Sequence, residues 1–379
     1  MSILSAISLS KKPVPAFAAV GFFWGSLAAS IPVIKTNLSV NDVTFGLLLL
    51  ANAVGLVAAM WTAPWFDKKL GSRSLPTASA LFACCFALPV MMPTPLTFTL
   101  AMLTMGIASG LTDVTMNARV SELEARHGRT LMNANHGIFS LGYAVAAFTM
   151  GLAREAGVPP VYVFLGFALI VLASTRMMYM EIEAAEPPEG SSKGKYPLGI
   201  LLICGGVVLI AFMSEATVET WSALHIERSL GGRAAEGALG PTMLGLTMAI
   251  GRLGGQGLSD RFSDLRVISV AAVITALGSI VAALAATPFV AYMGFGLFGL
   301  GVSVIGPLGL AQVGRRVPPH LRTDAISKAA VMGFSGFFIA PVIMGGISEA
   351  ASLSVAYLCV AGLVLLCLPL VLMLRARDT

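Results

Sequence analysis

Twelve times along this chain, about twenty consecutive residues are apolar almost throughout, a length that as helix matches the hydrocarbon core of a bilayer. The runs fall near 14–35, 42–65, 74–93, 96–118, 131–153, 159–180, 197–220, 239–259, 266–286, 289–313, 323–347 and 353–374. Inside lipid a backbone has no water to bond, so each run has to satisfy its own N–H and C=O groups as a helix. Charged residues make up 11% of the 379 and apolar ones 56%, whereas a soluble domain carries about 25% charged residues. The fold class is therefore an all-α membrane protein with twelve transmembrane helices. The alternating ten-residue strands of an outer-membrane barrel are absent. The first run follows Lys11 and Lys12, has full spanning length and leads into others, so it reads as a span rather than a cleavable signal.

The connections are short and leave no room for a soluble catalytic domain. The longest, EIEAAEPPEGSSKGKY, is rich in Pro, Gly, Ser and charge and reads as a flexible linker. It divides the chain into a six-helix bundle over 1–180, a linker over 181–196 and a second six-helix bundle over 197–379. Of the 24 Lys and Arg residues, eighteen fall on the N-terminal side of the membrane, while the other side holds Lys35, Arg154, Arg228 and Arg233. Basic loops stay inside, so both termini and the linker are expected to be cytoplasmic. The halves echo one another: Asp67-Lys68 matches Asp260-Arg261, and Lys35 matches Arg228, each at an offset of 193. Phe139-Ser140 and Phe334-Ser335 match at 195, which suggests two pseudo-symmetric repeats.

Several function classes drop out. The net charge of +5 comes without a basic cluster interleaved with aromatics, so nucleic acid is not expected as a partner. The five cysteines lie in apolar runs without metal-type spacing. Gly294-x-Gly296-x-x-Gly299 matches a dinucleotide fingerprint but sits in an apolar helix with no strand before it. Those glycines read as close helix contacts, as do Gly106 with Gly110 and Gly251 with Gly255. No metal, no cofactor and no enzyme chemistry are expected, and any uphill work has to draw on an ion gradient.

An ionisable group inside a span is costly and by default marks a pathway or a buried pair. Asp113 is such a group, with Asn117 one turn later on the same face. A carboxyl there can take up and release a proton as its surroundings alternate between wet and dry, or it can sit in a fixed ion pair with Arg252 or Lys328. Glu215 and Glu219 share a face of the seventh span; Glu215 is a second proton site or an outer-gate hydrogen bond, and Glu219 is expected to be exposed. Arg252 either grips an anionic solute or pins helices together. Lys328 is a gate charge or snorkels to the headgroups. His136 is a pH-responsive gate or a packed imidazole. Trp24, Asn52, Asn117, His136, Phe139, Phe334 and Phe337 are candidates for the solute cavity, with Asn117 a solute ligand or a helix-packing amide and the aromatic faces suited to ring-shaped solutes. Trp221 is expected in the interfacial aromatic belt.

Six spans plus six, a central linker and charged turns after spans two and eight resemble the major facilitator superfamily over essentially the whole chain. Asp113 four residues before Asn117, HGIFSLG at 136–142, SIPVIK at 30–35, WSALHI at 221–226, GRLGG at 251–255 and GFSGFFIAP at 333–341 are similar to its fucose-permease-like bacterial branch. Three places depart from that pattern: Ala63 stands where the inner turn usually has Gly, the second-half copy of that turn ends in Ser263-Asp264 where Gly is usual, and the first span lacks the second acid of the branch's sugar symporters. The resemblance implies that spans four and seven face a central cavity and that the acid at Asp113 couples protons. It implies that inner turns carrying Asp67, Arg73, Asp260 and Arg261 act as gates. The expected protein is a monomeric secondary transporter of the bacterial inner membrane, moving a small polar, sugar-like solute with protons by alternating access. The rival readings are a proton-driven exporter of amphipathic compounds and a membrane sensor without flux.

Overall fold

The computed structural model describes residues 3–181, 198–259, 261–318 and 321–377. The proposed linker, apart from Glu181, and Asp260 lie outside the described residues. Every regular element is helical: α1 (Ile3–Leu9), α2 (Val14–Leu38), α3 (Asp42–Leu70), α4 (Ser74–Cys85), α5 (Leu88–Met91), α6 (Pro95–His127), α7 (Met132–Glu155) and α8 (Pro160–Ser174) precede the linker. After it come α9 (Leu198–Leu224), α10 (Ala234–Ser259), α11 (Asp264–Ala283), α12 (Pro288–Arg316), α13 (Arg322–Ala350), α14 (Leu353–Leu365) and α15 (Cys367–Arg375). Among the described residues ten helical stretches are long and apolar enough to cross a membrane. One of them, Asp42–Met91, holds α3, α4 and α5.

Local chemistry sets the ends. Asn41 caps α3 by accepting from the Thr44 N–H at 2.9 Å. Thr94 and Thr97 form a reciprocal capping box at α6, with Pro95 at the first helical position. Gly128 ends α6 at φ +61, a left-handed conformation that costs glycine no Cβ clash.

Three boundaries differ from the sequence reading. The third and twelfth spans are each two helices, broken after Cys85 and after Leu365. In both, a proline follows four residues later, Pro89 and Pro369, whose ring clashes with the carbonyl of that last residue. The fourth span runs nine residues past 118 because SELEARH is made of good helix formers. The connection between the fourth and fifth spans is therefore mostly helix.

The same pairings recur before and after the linker: α2 packs on α7 as α9 packs on α13, and α3 on α6 as α10 on α12. Small residues allow these approaches, since a Cβ on Gly106 would stand 2.1 Å from the Asn52 carbonyl oxygen. The two halves meet along α7 and α10, α3 and α13, and α2 and α9.

Candidate functional site

Between the halves lies a cavity of about 730 Å³, a size suited to a small ligand. Helices α2, α3, α6 and α7 bring Trp24, Asn52, Asp113, Asn117, His136 and Phe139 to its wall, and α9, α10 and α13 bring Glu215, Arg252, Phe334 and Phe337. All the residues that the sequence suggests for coupling or for the cavity thus meet at one place, although more than 200 positions separate the first from the last. Phe212 touches Phe334 and Phe337, each with centroids 5.4 Å apart, so one flank is a cluster of rings.

Asn117 donates Nδ2–H to the Asp113 carbonyl at 2.8 Å and to its Oδ1 at 3.2 Å. Among the described residues the Asp113 carboxylate makes no ion pair. The fixed pair with Arg252 or Lys328 is not formed, because each cation has an acid closer at hand. Lys328 sits at the exposed start of α13, one turn after Asp324, and donates to it at 3.0 Å. Arg252 donates Nη2–H to Glu215 Oε1 at 2.9 Å and Nη1–H to Ser140 Oγ at 2.6 Å, with its guanidinium 5.8 Å from the Phe139 ring centre. A charge from α10 thereby holds α9 in its own half and α7 in the other. His136 meets the ring of Phe17 edge-on at 5.2 Å.

Two expectations are overturned. Glu219 is half-buried on the cavity wall, because α9 turns the face it shares with Glu215 inward. Trp221 is fully buried and meets Phe45 of α3 edge-on at 6.1 Å. It stays out of an interfacial belt because α9 turns it toward α3 of the other half, where its ring is shut off from the outside.

At the end of the bundle where α3 and α6 finish, charges pair within each half. Asp67 accepts from Arg119 and from Ser74, and Arg119, 1% exposed, also pairs with Glu122. Its partner is thus a residue of α6, while Arg73 is exposed and makes no ion pair among the described residues. In the second half Arg261 is exposed, and the buried acid is Asp264, which accepts from Arg315 at 2.6 Å and from Gln312 at 2.7 Å. The cavity mouth lies toward this end, where Met132 and the exposed Asn133 join its wall.

The opposite end is closed by contacts that the sequence reading missed. Asp42, at the start of α3, takes two hydrogen bonds from Arg228 at 2.8 and 2.7 Å, one from Lys35 at 2.9 Å and one from Ser348 of α13. Arg154 of α7 makes a two-pronged pair with Glu227 at 2.7 and 2.8 Å and also donates to the Ala29 carbonyl at 2.7 Å. Arg233 pairs with Glu155 at 3.1 Å. Backbone meets backbone beside them: a Cβ on Gly345 would lie 2.4 Å from the Asp42 carbonyl oxygen, and one on Gly46 2.4 Å from that of Pro341. The offset that aligned Lys35 with Arg228 was the available signal, since two matched cations call for a shared acid.

Residues 203–379 match the Major Facilitator Superfamily. An uncharacterised MFS-type transporter of Yersinia pestis is 28% identical over 92% of this chain and 91% of its own length. The membrane protein MosC of Rhizobium meliloti is 26% identical over 89% of this chain and 83% of its own. In fold the chain is similar to the nucleoside transporter NupG, with a TM-score of 0.70, 13% identity, and coverage of 98% and 99%. It is also similar to a bacterial homologue of the human lysosomal transporter Spinster in an inward-facing, occupied conformation, with a TM-score of 0.70, 15% identity, and coverage of 99% and 97%. These similarities support the major facilitator superfamily and indicate a transporter, not an enzyme.

Proposed function

We propose that this chain, whose matches support a transporter of the major facilitator superfamily, is a proton-coupled secondary transporter that moves a small solute by alternating access. The observation that carries the reading is the setting of Asp113: a carboxylate on the wall of the cavity between the halves, held by Asn117 and in no ion pair among the described residues. Such a group is free to change its charge as the cavity changes the side it opens to.

The rest of the reading follows from this. Counting α3, α4 with α5, and α10 as separate crossings turns the ten candidate stretches into twelve. Residues 1–180 and 197–379 are the two rocking bundles, and both termini face the cytoplasm of a bacterial inner membrane. The paired Asp42, Arg154, Arg228 and Glu227 then stand at the outer end, and the conformation is open inward. The motifs around Asp113 and His136 favour the fucose-permease-like branch, and the protein works as a monomer among lipids.

Replacing Asp113 by Asn and measuring uptake into energised vesicles tests the mechanism. Solute exchange is expected to survive while proton-driven accumulation is lost; full accumulation by the variant would remove Asp113 from the proton path. The aromatic cluster of Phe212, Phe334 and Phe337 favours a second reading, the export of amphipathic compounds. Deleting the gene decides direction: a growth defect on the solute marks an importer, and sensitivity to a compound marks an exporter.

A further inference from the structure

The charged groups on the cavity wall are out of balance. Three carboxylates, Asp113, Glu215 and Glu219, face one guanidinium, that of Arg252. Arg252 is already engaged by Glu215, Ser140 and the face of Phe139. Glu219, one turn beyond Glu215 on α9, accepts no hydrogen bond and makes no ion pair among the described residues. A carboxylate partly withdrawn from water on a largely apolar wall calls for an opposite charge or a donor, and among the described residues the wall carries no second Lys or Arg.

A separate observation points to the same place. Tyr143 is 1% exposed and lines this cavity together with Glu215 and Glu219, yet its hydroxyl has no partner among the described residues. Buried polar atoms are normally bonded, so an orphaned phenol and an orphaned carboxylate on the wall of one cavity mark a position for something else. Asn52 Oδ1, of a residue that also lines the cavity, is a buried acceptor that likewise has no partner among them. Unmet acceptors therefore predominate. An ammonium group brings three donors, no acceptor and the missing positive charge. The rings of Trp24, Phe212, Phe334 and Phe337 on the same wall offer apolar area and π-faces that attract cations.

We infer that the solute is an organic cation, a protonated amine on a compact apolar or cyclic body, whose ammonium group sits between Glu219 and Tyr143. This rests on the reading of the cavity as the transport site and narrows its cargo. Anionic solutes are disfavoured because the one guanidinium is occupied and two uncompensated carboxylates remain. Glu219 takes the cargo's charge, leaving Asp113 for the proton.

The test is equilibrium binding to the purified full-length chain in lipid nanodiscs, read by titration calorimetry, with three probes that share a phenyl ring. These are 2-phenylethylamine, its neutral N-acetyl derivative and the anion 3-phenylpropionate. The amine is expected to bind at least tenfold more tightly than either of the others. Glu219→Gln is expected to weaken the amine at least tenfold and leave the neutral derivative unchanged, and Tyr143→Phe to weaken the amine two- to fivefold. The wild-type comparison needs no variant to fold. Equal binding of all three probes, a preference for the anion, no saturable binding of the amine, or a Glu219→Gln protein that keeps full amine affinity would each overturn the assignment. Because binding requires no flux, failure of the vesicle assay would sink the coupling mechanism while leaving this result intact.

Discussion

Lys35 and Arg228, at matching places 193 residues apart in the two halves of the chain, close on a single carboxylate. Asp42 receives Lys35 at 2.9 Å and both prongs of Arg228 at 2.8 and 2.7 Å, while only 3% of its side chain is exposed. One acid from α3 thereby joins a cation of its own half to one of the other at the closed end of the cavity.

Neutralising that acid is expected to open this end. Removing one partner of a hydrogen-bonded charge pair costs about 2 kcal/mol or more, and a shift of that size changes a two-state ratio about thirtyfold. Spin labels at Val158 and Thr287, in exposed connections of the two halves at this end, report the change. In Asp42→Asn the distance distribution is expected to move to longer values. Raising the salt concentration should move the wild type in the same direction, since Arg228 is 40% exposed and open to screening.

Gly345→Ala should act on the same equilibrium without touching a charge. Its new Cβ would lie 2.4 Å from the Asp42 carbonyl oxygen, a backbone atom that cannot swing aside. Overpacking of this kind costs about 1–3 kcal/mol. The same labels are expected to lengthen their separation, and Gly346→Ala, where nothing lies within 4 Å, serves as the silent control.

Arg252 and Glu215 should behave as a coupled pair. Removing the arginine alone leaves a buried carboxylate uncompensated, a loss of about 3–5 kcal/mol, whereas replacing both by apolar residues of similar volume is often neutral. Thermal unfolding of Arg252→Met, Glu215→Met and the double variant forms the cycle. Both single variants are expected to melt well below the double variant.

Arg119 and Arg73 should differ sharply. Arg119 is buried and bonded to Asp67, Ser74 and Glu122, and Arg73 is exposed. Arg119→Ala is expected to lower the unfolding temperature strongly. Arg73→Ala should stay within about 0.5 kcal/mol of wild type.

The four tryptophans give an optical check on Trp221. Trp61 and Trp65 are 84% and 63% exposed on α3, and Trp221 is fully buried. Brominated lipid is expected to quench a protein retaining Trp61 or Trp65 alone, and to leave one retaining Trp221 alone bright and blue-shifted. Strong quenching of Trp221 would restore it to the interface.

Much of this could be read without coordinates, for one physical reason. A run of twenty apolar residues has few fates, and a polar group stranded in one, such as Asp113 or Glu215, stands out against it. The missed residues lie where that contrast fades. Asp42, Arg154 and Glu227 sit at helix ends, where a charge reads as ordinary interfacial solvation. Their pairing links residues as far as 186 positions apart, with no local pattern to betray it. Arg119 escaped because it follows the expected end of its span by one residue, although α6 carries it into a buried network. Trp221 escaped because its burial depends on Phe45, a neighbour from the other half. The breaks at Pro89 and Pro369 were visible as prolines, but apolarity on both sides hid their effect.

Among the described residues, the charged contacts that join the halves at a helix end are gathered at one rim, while at the other Asp67 with Arg119 and Asp264 with Arg315 each keep to their own side. Reversal is therefore lopsided in its chemistry. On the proposed alternating-access reading, three clasps must be hydrated before anything new can form, and that step would be the same on every cycle, whatever cargo is aboard. Electrolyte bathing the clasped face alone should set the tempo of turnover, and the far face should be indifferent to it.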